Sequence, residues 1–162
     1  VNDLNVVAKP MKNEIVDRWL AEKRDGASVK TIFTHQALRK MMEVMKRNGI
    51  VAILIDQHAG KHGTMVPFLG KEANTVRTVA GIVRKTGCEV LAISAIMEKG
   101  ENSYKIVFEK PQPPELTSKS EDECIAEYQR IHNEIISEWI RKKPEHWFGW
   151  FHKRFRGIIS YS

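Results

Sequence analysis

The stretch Ile50-Val51-Ala52-Ile53-Leu54-Ile55 contains six consecutive apolar residues. A run that is short and uninterrupted is typical of a strand buried on both faces, as in a parallel or mixed sheet covered by helices. The run stops at Asp56 and is followed by a polar loop, 57–65. It predicts an α/β fold in which 50–55 is a central strand.

Alternating strand and helix patterns precede this stretch. The β-branched segment Leu4–Ala8 and the segment Val29–Phe33 read as strands. Asn13 reads as the N-cap of a helix between them. Apolar residues over 38–45 recur at helical spacing, and Gly49 stands where a C′ glycine belongs. This alternation favours a mixed sheet flanked by helices.

The pattern changes after the central strand. We predict a helix over 74–85 and a β-hairpin that joins 89–96 to 104–108. Ser120 and Glu123 have the spacing of a capping box at the start of a long helix, which should end before Pro144.

The domain prediction follows from these segments. We expect a single domain over 1–162, with an α/β core at 1–110. A Pro-rich connector at 111–119 leads to a C-terminal helical tail at 120–156.

The composition limits the possible classes of protein. The 162 residues are 42% hydrophobic and 28% charged, which argues against disordered and fibrous chains. No segment is apolar enough to cross a membrane. Two cysteines do not make a disulfide framework and fit a reducing compartment. The net charge of +6 suggests an anionic partner.

Most of that charge lies in the tail. Residues 139–156 hold six basic residues against one acidic residue, with three of the four tryptophans and three of the six phenylalanines. Basic residues interleaved with aromatic ones suit a membrane interface or a stacked nucleic acid, and an ordinary docked helix is the third alternative.

Two other stretches could carry chemistry. The loop after Asp56, with His58, lies where α/β folds place ligands, although a simple capped turn explains it nearly as well. Arg77 lies in the first turn of the predicted helix, where an anion could bridge it to the free amides, or it could belong to a solvated basic face. His58 and His62 are four apart, but two nearby glycines argue against a helix and the His-Glu-x-x-His pattern is absent, so no metal site is predicted.

No catalytic base pattern is present. None of the six histidines is followed five positions later by Asp or Glu, a spacing that lets a carboxylate orient a histidine base.

Four segments in order resemble the bacterial lipid A biosynthesis acyltransferases, the lauroyl and myristoyl transferases of lipopolysaccharide assembly. They cover nearly the whole chain, with Lys9 where Arg is usual, His146 where Gln is common and one extra residue between the last two tryptophans. The segments are Val7–Asn13, the apolar strand into Asp56-Gln57, Val66–Gly70 with Ala73–Thr75, and Pro144–Arg156.

The resemblance implies a glycerolipid acyltransferase-like fold and transfer of a fatty acyl chain from acyl carrier protein to a hydroxyl of a lipid A precursor. It places the full-length protein at the cytoplasmic face of the bacterial inner membrane. The family's His-x4-acid box is expected upstream of Val1, so the chain is expected to be N-terminally truncated, soluble and inactive alone, with no catalytic residue, metal or cofactor of its own.

The remaining residues would then bind substrate and surfaces. The expected substrate-binding residues are Lys9, Asp56, His58, Arg77, His152 and Arg154. The expected contacts to the membrane or carrier protein are Trp147, Trp150, Lys153 and Arg156. The partners implied are acyl carrier protein, an anionic glycolipid and the inner membrane, without nucleic acid. A basic nucleic-acid-binding module and a non-catalytic acyltransferase-like interaction protein are the alternatives.

Overall fold

Strands and helices alternate through the computed structural model, which describes residues 3–34, 37–98, 103–114 and 120–160. The chain divides into two compact units, here called the first unit (Val1–Leu54) and the second unit (Ile55–Ser162). The predicted α/β class with a C-terminal helix is confirmed. The single-domain boundary at 1–162 stays a prediction.

The first unit contains a three-stranded parallel sheet in the order β2-β1-β3. Leu4 in β1 lies opposite Val29 in β2 and Ile50 in β3. The elements of this unit are β1 (Leu4–Ala8), α1 (Glu14–Gly26), β2 (Val29–Phe33), α2 (Ala37–Lys46) and β3 (Ile50–Ala52).

The ends of the two helices follow local chemistry. The Asn13 side chain accepts hydrogen bonds from the first-turn amides of α1, so the predicted N-cap is confirmed. At the end of α2 the left-handed residue is Asn48, and the Gly49 amide donates to the Val44 carbonyl at 2.9 Å. This is a Schellman motif in which Asn48 occupies the C′ position that was predicted for Gly49, and Gly49 occupies the next position, C″.

The prediction of a six-residue strand buried on both faces at 50–55 is wrong. β3 ends at Ala52, and the side chains of Ile50 and Leu54 are exposed. A strand is buried on both faces when it lies inside a sheet that is covered on both sides. Within the described residues, β3 pairs only with β1.

The described residues of the second unit form two antiparallel hairpins and two α-helices. The predicted hairpin of β6 and β7 and the capping box of Ser120 with Glu123 are confirmed. The elements of this unit are β4 (Thr64–Phe68), β5 (Lys71–Thr75), α3 (Thr78–Thr86), β6 (Ala92–Met97), β7 (Tyr104–Glu109) and α4 (Glu121–Lys142).

The hairpin of β4 and β5 corrects the predicted loop at 57–65 and the predicted helix start at 74. Its two-residue turn places Leu69 and Gly70 at positive φ, 50° and 80°, as a type I′ turn requires. Leu69 is an unusual residue there, and Pro67 within β4 argues against a strand, so the sequence hides this hairpin.

The tail after α4 is less regular than a continuous helix. α4 ends before Pro144 as predicted, and two 3₁₀ turns follow at Pro144–His146 and Phe148–Phe151. The predicted hairpin turn at 99–102 and connector residues 115–119 lie outside the described residues. No helix in the described part of the chain has the length and apolar character needed to span a bilayer.

Candidate functional site

Arg154 joins three separate segments of the second unit. Its side chain is 1% exposed. One terminal nitrogen, Nη1, donates to the carbonyl oxygens of Gln57 at 3.1 Å and Asn74 at 2.5 Å. The other, Nη2, donates to the Thr75 hydroxyl at 2.7 Å. The tail is therefore fastened to the loop after Asp56 and to the end of β5.

The environment of this guanidinium is unusual for a charged group. Its Cζ lies 4.7 Å from the ring centroid of Phe68, and its Nε atom is buried without a hydrogen-bond partner among the described residues. Burial lowers the pKa of Arg154 to about 10, against an opposing effect of the Asp56 charge. The group is still protonated at neutral pH, so a buried cation holds the segments together.

Asp56 is fastened to the same tail by a second contact. The indole Nε1 of Trp147 donates to Asp56 Oδ2 at 2.9 Å, and the Trp147 ring packs 5.5 Å from that of Phe68. A Cβ at Gly149 would overlap the Trp147 ring, so the close approach of the chain requires glycine. Trp147, predicted to contact a surface, is a buried residue here.

A polar stripe on α4 supplies hydrogen bonds to the β4–β5 hairpin. Gln129 Nε2 donates to the Thr75 carbonyl at 2.7 Å, and Asn133 Nδ2 donates to the Thr75 hydroxyl and to the Pro67 carbonyl, each at 3.0 Å. The members of this stripe are spaced four apart and are buried: Gln129, Asn133 and Ser137. Sequence reasoning missed it, although the four-residue spacing of polar side chains on a helix was a visible signal.

The loop after Asp56 is shaped by hydrogen bonds of its own. The Gly60 amide donates to His58 Nδ1 at 3.0 Å, and Asn74 Nδ2 donates to the Gly60 carbonyl at 2.6 Å. A Cβ at Gly63 would overlap Asn74 Oδ1. Asn74 and Gly63 are therefore needed for the shape of this loop, and neither stands among the predicted site residues.

These contacts join the segments on which the family resemblance depends. A family model described as bacterial lipid A biosynthesis acyltransferase matches residues 2–157. The chain belongs to this acyltransferase family. Among curated proteins, none matches the chain. The acyltransferase segments at Asp56-Gln57, 66–75 and 144–156 converge in the second unit, while Val7–Asn13 lies in the first.

Two of the residues predicted to bind substrate in this acyltransferase have accessible side chains. Lys9 is exposed and follows the carboxyl end of β1, the end of a parallel strand where α/β proteins bind ligands. His152 is exposed, and its Nε2 lies 3.5 Å from Gln57 Nε2. Trp150, Lys153 and Arg156 are exposed as well.

Arg77 has partners within the second unit. It occupies the N-cap position of α3, donates to the Thr64 hydroxyl at 3.1 Å and forms an ion pair with Asp122. Arg84 on the same helix pairs with Glu121 at 2.9 Å. The first turn of α4 therefore supplies the anions that the basic side of α3 faces. The roles predicted for the site residues stay predictions.

Metal binding has no geometric support in the described part of the chain, where no three His, Cys, Asp or Glu side chains converge. The expectation that neither metal nor cofactor is needed stays a prediction.

Proposed function

We propose that this chain takes part in the transfer of a fatty acyl group from acyl carrier protein to a hydroxyl of a lipid A precursor. The observation that carries the proposal is the family match over residues 2–157, which supports an acyltransferase function in general. The convergence of three family segments around Asp56 and Arg154 adds support, because it forms an ordered polar site from parts that are distant in sequence.

The reaction needs a base and a site for the oxyanion. The acceptor hydroxyl loses its proton as its oxygen attacks the thioester carbonyl. A C–O bond forms, the C–S bond breaks, and the carrier thiol leaves with a proton. No histidine in these 162 residues has an acidic residue five positions later, so we assign binding and positioning, rather than proton removal, to this chain.

The residues differ in the part they would play. Lys9 and His152 are exposed and would contact anionic groups of the glycolipid. Asp56 and Arg154 are engaged with the tail and the loop, so they would shape the site. His58 would act through the loop that it caps, and Arg77 would have to exchange Asp122 for a substrate anion.

The proposed reaction also defines where the protein works. Its donor is an acidic carrier protein, and its acceptor is a glycolipid of the bacterial inner membrane, reached from the cytoplasmic face. A basic surface favours both encounters.

We expect this chain to bind the glycolipid without catalysing acyl transfer. We expect the purified 162 residues to bind a detergent-solubilised lipid A precursor, with Lys9→Gln and His152→Gln each weakening binding about three- to tenfold as one charge-assisted contact is lost. Lys85→Gln, at an exposed lysine of α3, is the matched control. Titration followed by calorimetry measures the affinities.

The same sample tests the assignment of the chemistry. Incubation with acyl carrier protein thioester and acceptor should give no acylated product above background. Turnover by this chain would contradict the assignment of binding and positioning alone to these 162 residues, and equal glycolipid affinity for all variants would contradict the binding roles.

A further inference from the structure

The 3₁₀ turn Phe148–Phe151 presents three aromatic side chains to solvent. Phe148 is 72% exposed, Trp150 is 57% exposed and Phe151 is 82% exposed. The rings of Phe148 and Phe151 lie 5.4 Å apart, and Phe148 also packs 5.9 Å from His152. Phe148 and Phe151 form one exposed apolar cluster, and the Trp150 ring packs 4.7 Å from that of Trp147. The segment Phe148–Phe151 is here called the aromatic turn. Such clusters on a protein surface mark sites of interaction.

The aromatic turn is held at both ends by buried residues. Trp147 precedes it and is fastened to Asp56, and Arg154 follows it and is fastened to Gln57. The Trp150 indole nitrogen donates to the Pro144 carbonyl at 2.7 Å. The exposure of these rings is therefore a property of a folded and anchored turn.

The tail carries basic side chains in different surroundings. Arg141 pairs with Glu134 at 3.0 Å, Lys142 lies 3.8 Å from Glu138, and Arg154 is buried. Exposed basic side chains lie on both sides of the aromatic turn, at Lys143, Lys153 and Arg156. An exposed aromatic cluster flanked by cations is complementary to a bilayer with anionic headgroups.

We propose that the aromatic turn inserts into the interface of an anionic lipid bilayer. Phe148, Trp150 and Phe151 enter the boundary between headgroups and acyl chains, and Lys153 and Arg156 lie among the phosphates. Aromatic rings are favoured at this depth because one part of the surroundings is apolar and another is wet. The choice of a bilayer rests on the proposed function, and the inserting residues are additional to it.

Nucleic acid fits this surface less well. Bases stack on open, parallel ring faces. The Phe148 and Phe151 rings are inclined by 48° and cover part of each other's surface. Insertion of the two rings into lipid does not require open ring faces that lie parallel to each other.

Vesicle binding by the full 162-residue chain tests the proposal, with no acyl substrate present. We expect sedimentation with vesicles of phosphatidylethanolamine and phosphatidylglycerol, and about tenfold weaker binding for Phe148→Ser/Phe151→Ser. The matched control is Phe108→Ser, an exposed phenylalanine of β7, which should bind as the unaltered chain does. Circular dichroism melting shows whether each variant folds.

A fluorescence measurement reports the same event without removing a phenylalanine. Vesicles should shift the tryptophan emission to the blue, and Trp150→Phe should remove most of that shift while sedimentation persists. Lys153→Gln/Arg156→Gln should weaken binding to anionic vesicles and change binding to phosphatidylcholine little.

Several outcomes would overturn the proposal. These are equal vesicle binding by the folded double phenylalanine variant, an equal loss in Phe108→Ser, and binding to single-stranded RNA with none to vesicles. Glycolipid affinity in detergent is measured separately, so failure of membrane insertion and failure of the acyltransferase role are distinguishable.

Discussion

The two hairpins of the second unit have the same local architecture and opposite surroundings. β4–β5 and β6–β7 are both antiparallel ribbons joined in sequence order. In β4–β5, Phe68 is 1% exposed. In β6–β7, the cross-strand pairs Ile93–Phe108 and Met97–Tyr104 lie along one exposed face, and Phe108 is 58% exposed.

The more polar of the two hairpins is the buried one. β4–β5 contains Pro67, Asn74 and Thr75, and the carbonyls of Pro67 and Asn74 and the Thr75 hydroxyl would be costly to bury unsatisfied. α4 supplies donors to Pro67 and Thr75, and Arg154 supplies donors to Asn74 and Thr75. Hydrogen-bond partners, rather than apolar content, therefore decide which of the two hairpins joins the core.

The largest expected effect is a difference in stability between two variants, each of which truncates a phenylalanine in one of the hairpins. Phe68→Ala should destabilise the chain by about 4 kcal/mol, because it opens a cavity beside Trp147 and Arg154. Phe108→Ala should cost less than about 1 kcal/mol. Urea unfolding followed by circular dichroism measures both. Similar midpoints for the two variants would remove the distinction between the hairpins.

Arg154→Met tests how much of this burial depends on the tail. The change removes the donor to the Gln57 carbonyl and one of two donors each to the Asn74 carbonyl and the Thr75 hydroxyl, at a cost of about 3 kcal/mol. Arg156→Met, two residues later and exposed, is the matched control and should be nearly neutral. Equal melting temperatures for the two variants would contradict the role of Arg154 in fastening the tail.

The smallest expected effect concerns pH and α4, the helix that covers β4–β5. Burial lowers the pKa of His132 below its usual 6.5, so the unfolded chain takes up a proton more readily than the folded one. The contribution of this residue to stability is complete above pH 6.5 and decreases as the pH falls towards the folded pKa.

Melting temperatures from pH 8 to pH 5 measure this dependence, expressed relative to the exposed-histidine control His62→Gln. His132→Gln should show a shallower decrease below about pH 6.5 than the control. Parallel curves for His132→Gln and His62→Gln would show that His132 does not cause the dependence.

Much of the fold could be predicted from the sequence. The elements with strong local signals are confirmed: β1, β2, the Asn13 cap, the β6–β7 hairpin and the capping box of α4. The apolar run 50–55 gave a wrong prediction of a six-residue buried strand. The pattern of a sequence reports its hydrophobicity and not the number of neighbours that a strand acquires in the fold. β4–β5 was missed because Pro67 and Leu69 carry the opposite local preferences.

The candidate site was predictable in its segments and not in its contacts. Asp56 and Arg154 were both selected from the sequence as substrate contacts. Their observed partners are Trp147 for Asp56, and Gln57, Asn74 and Thr75 for Arg154. No spacing rule relates residues that are 79 to 97 positions apart, so sequence reasoning could not assign these pairs.

The α/β class, the basic and aromatic character of the tail and the family could all be predicted from the sequence, because they depend on composition, local periodicity and the order of motifs. Only the tertiary structure decided which of the tail's charges and rings are available. Arg154 and Trp147 are buried by long-range hydrogen bonds, while Phe148 and Phe151 remain exposed on an anchored turn. Burial depends on partners that folding brings together, so the side chains of neighbouring residues in one segment can differ completely in their exposure.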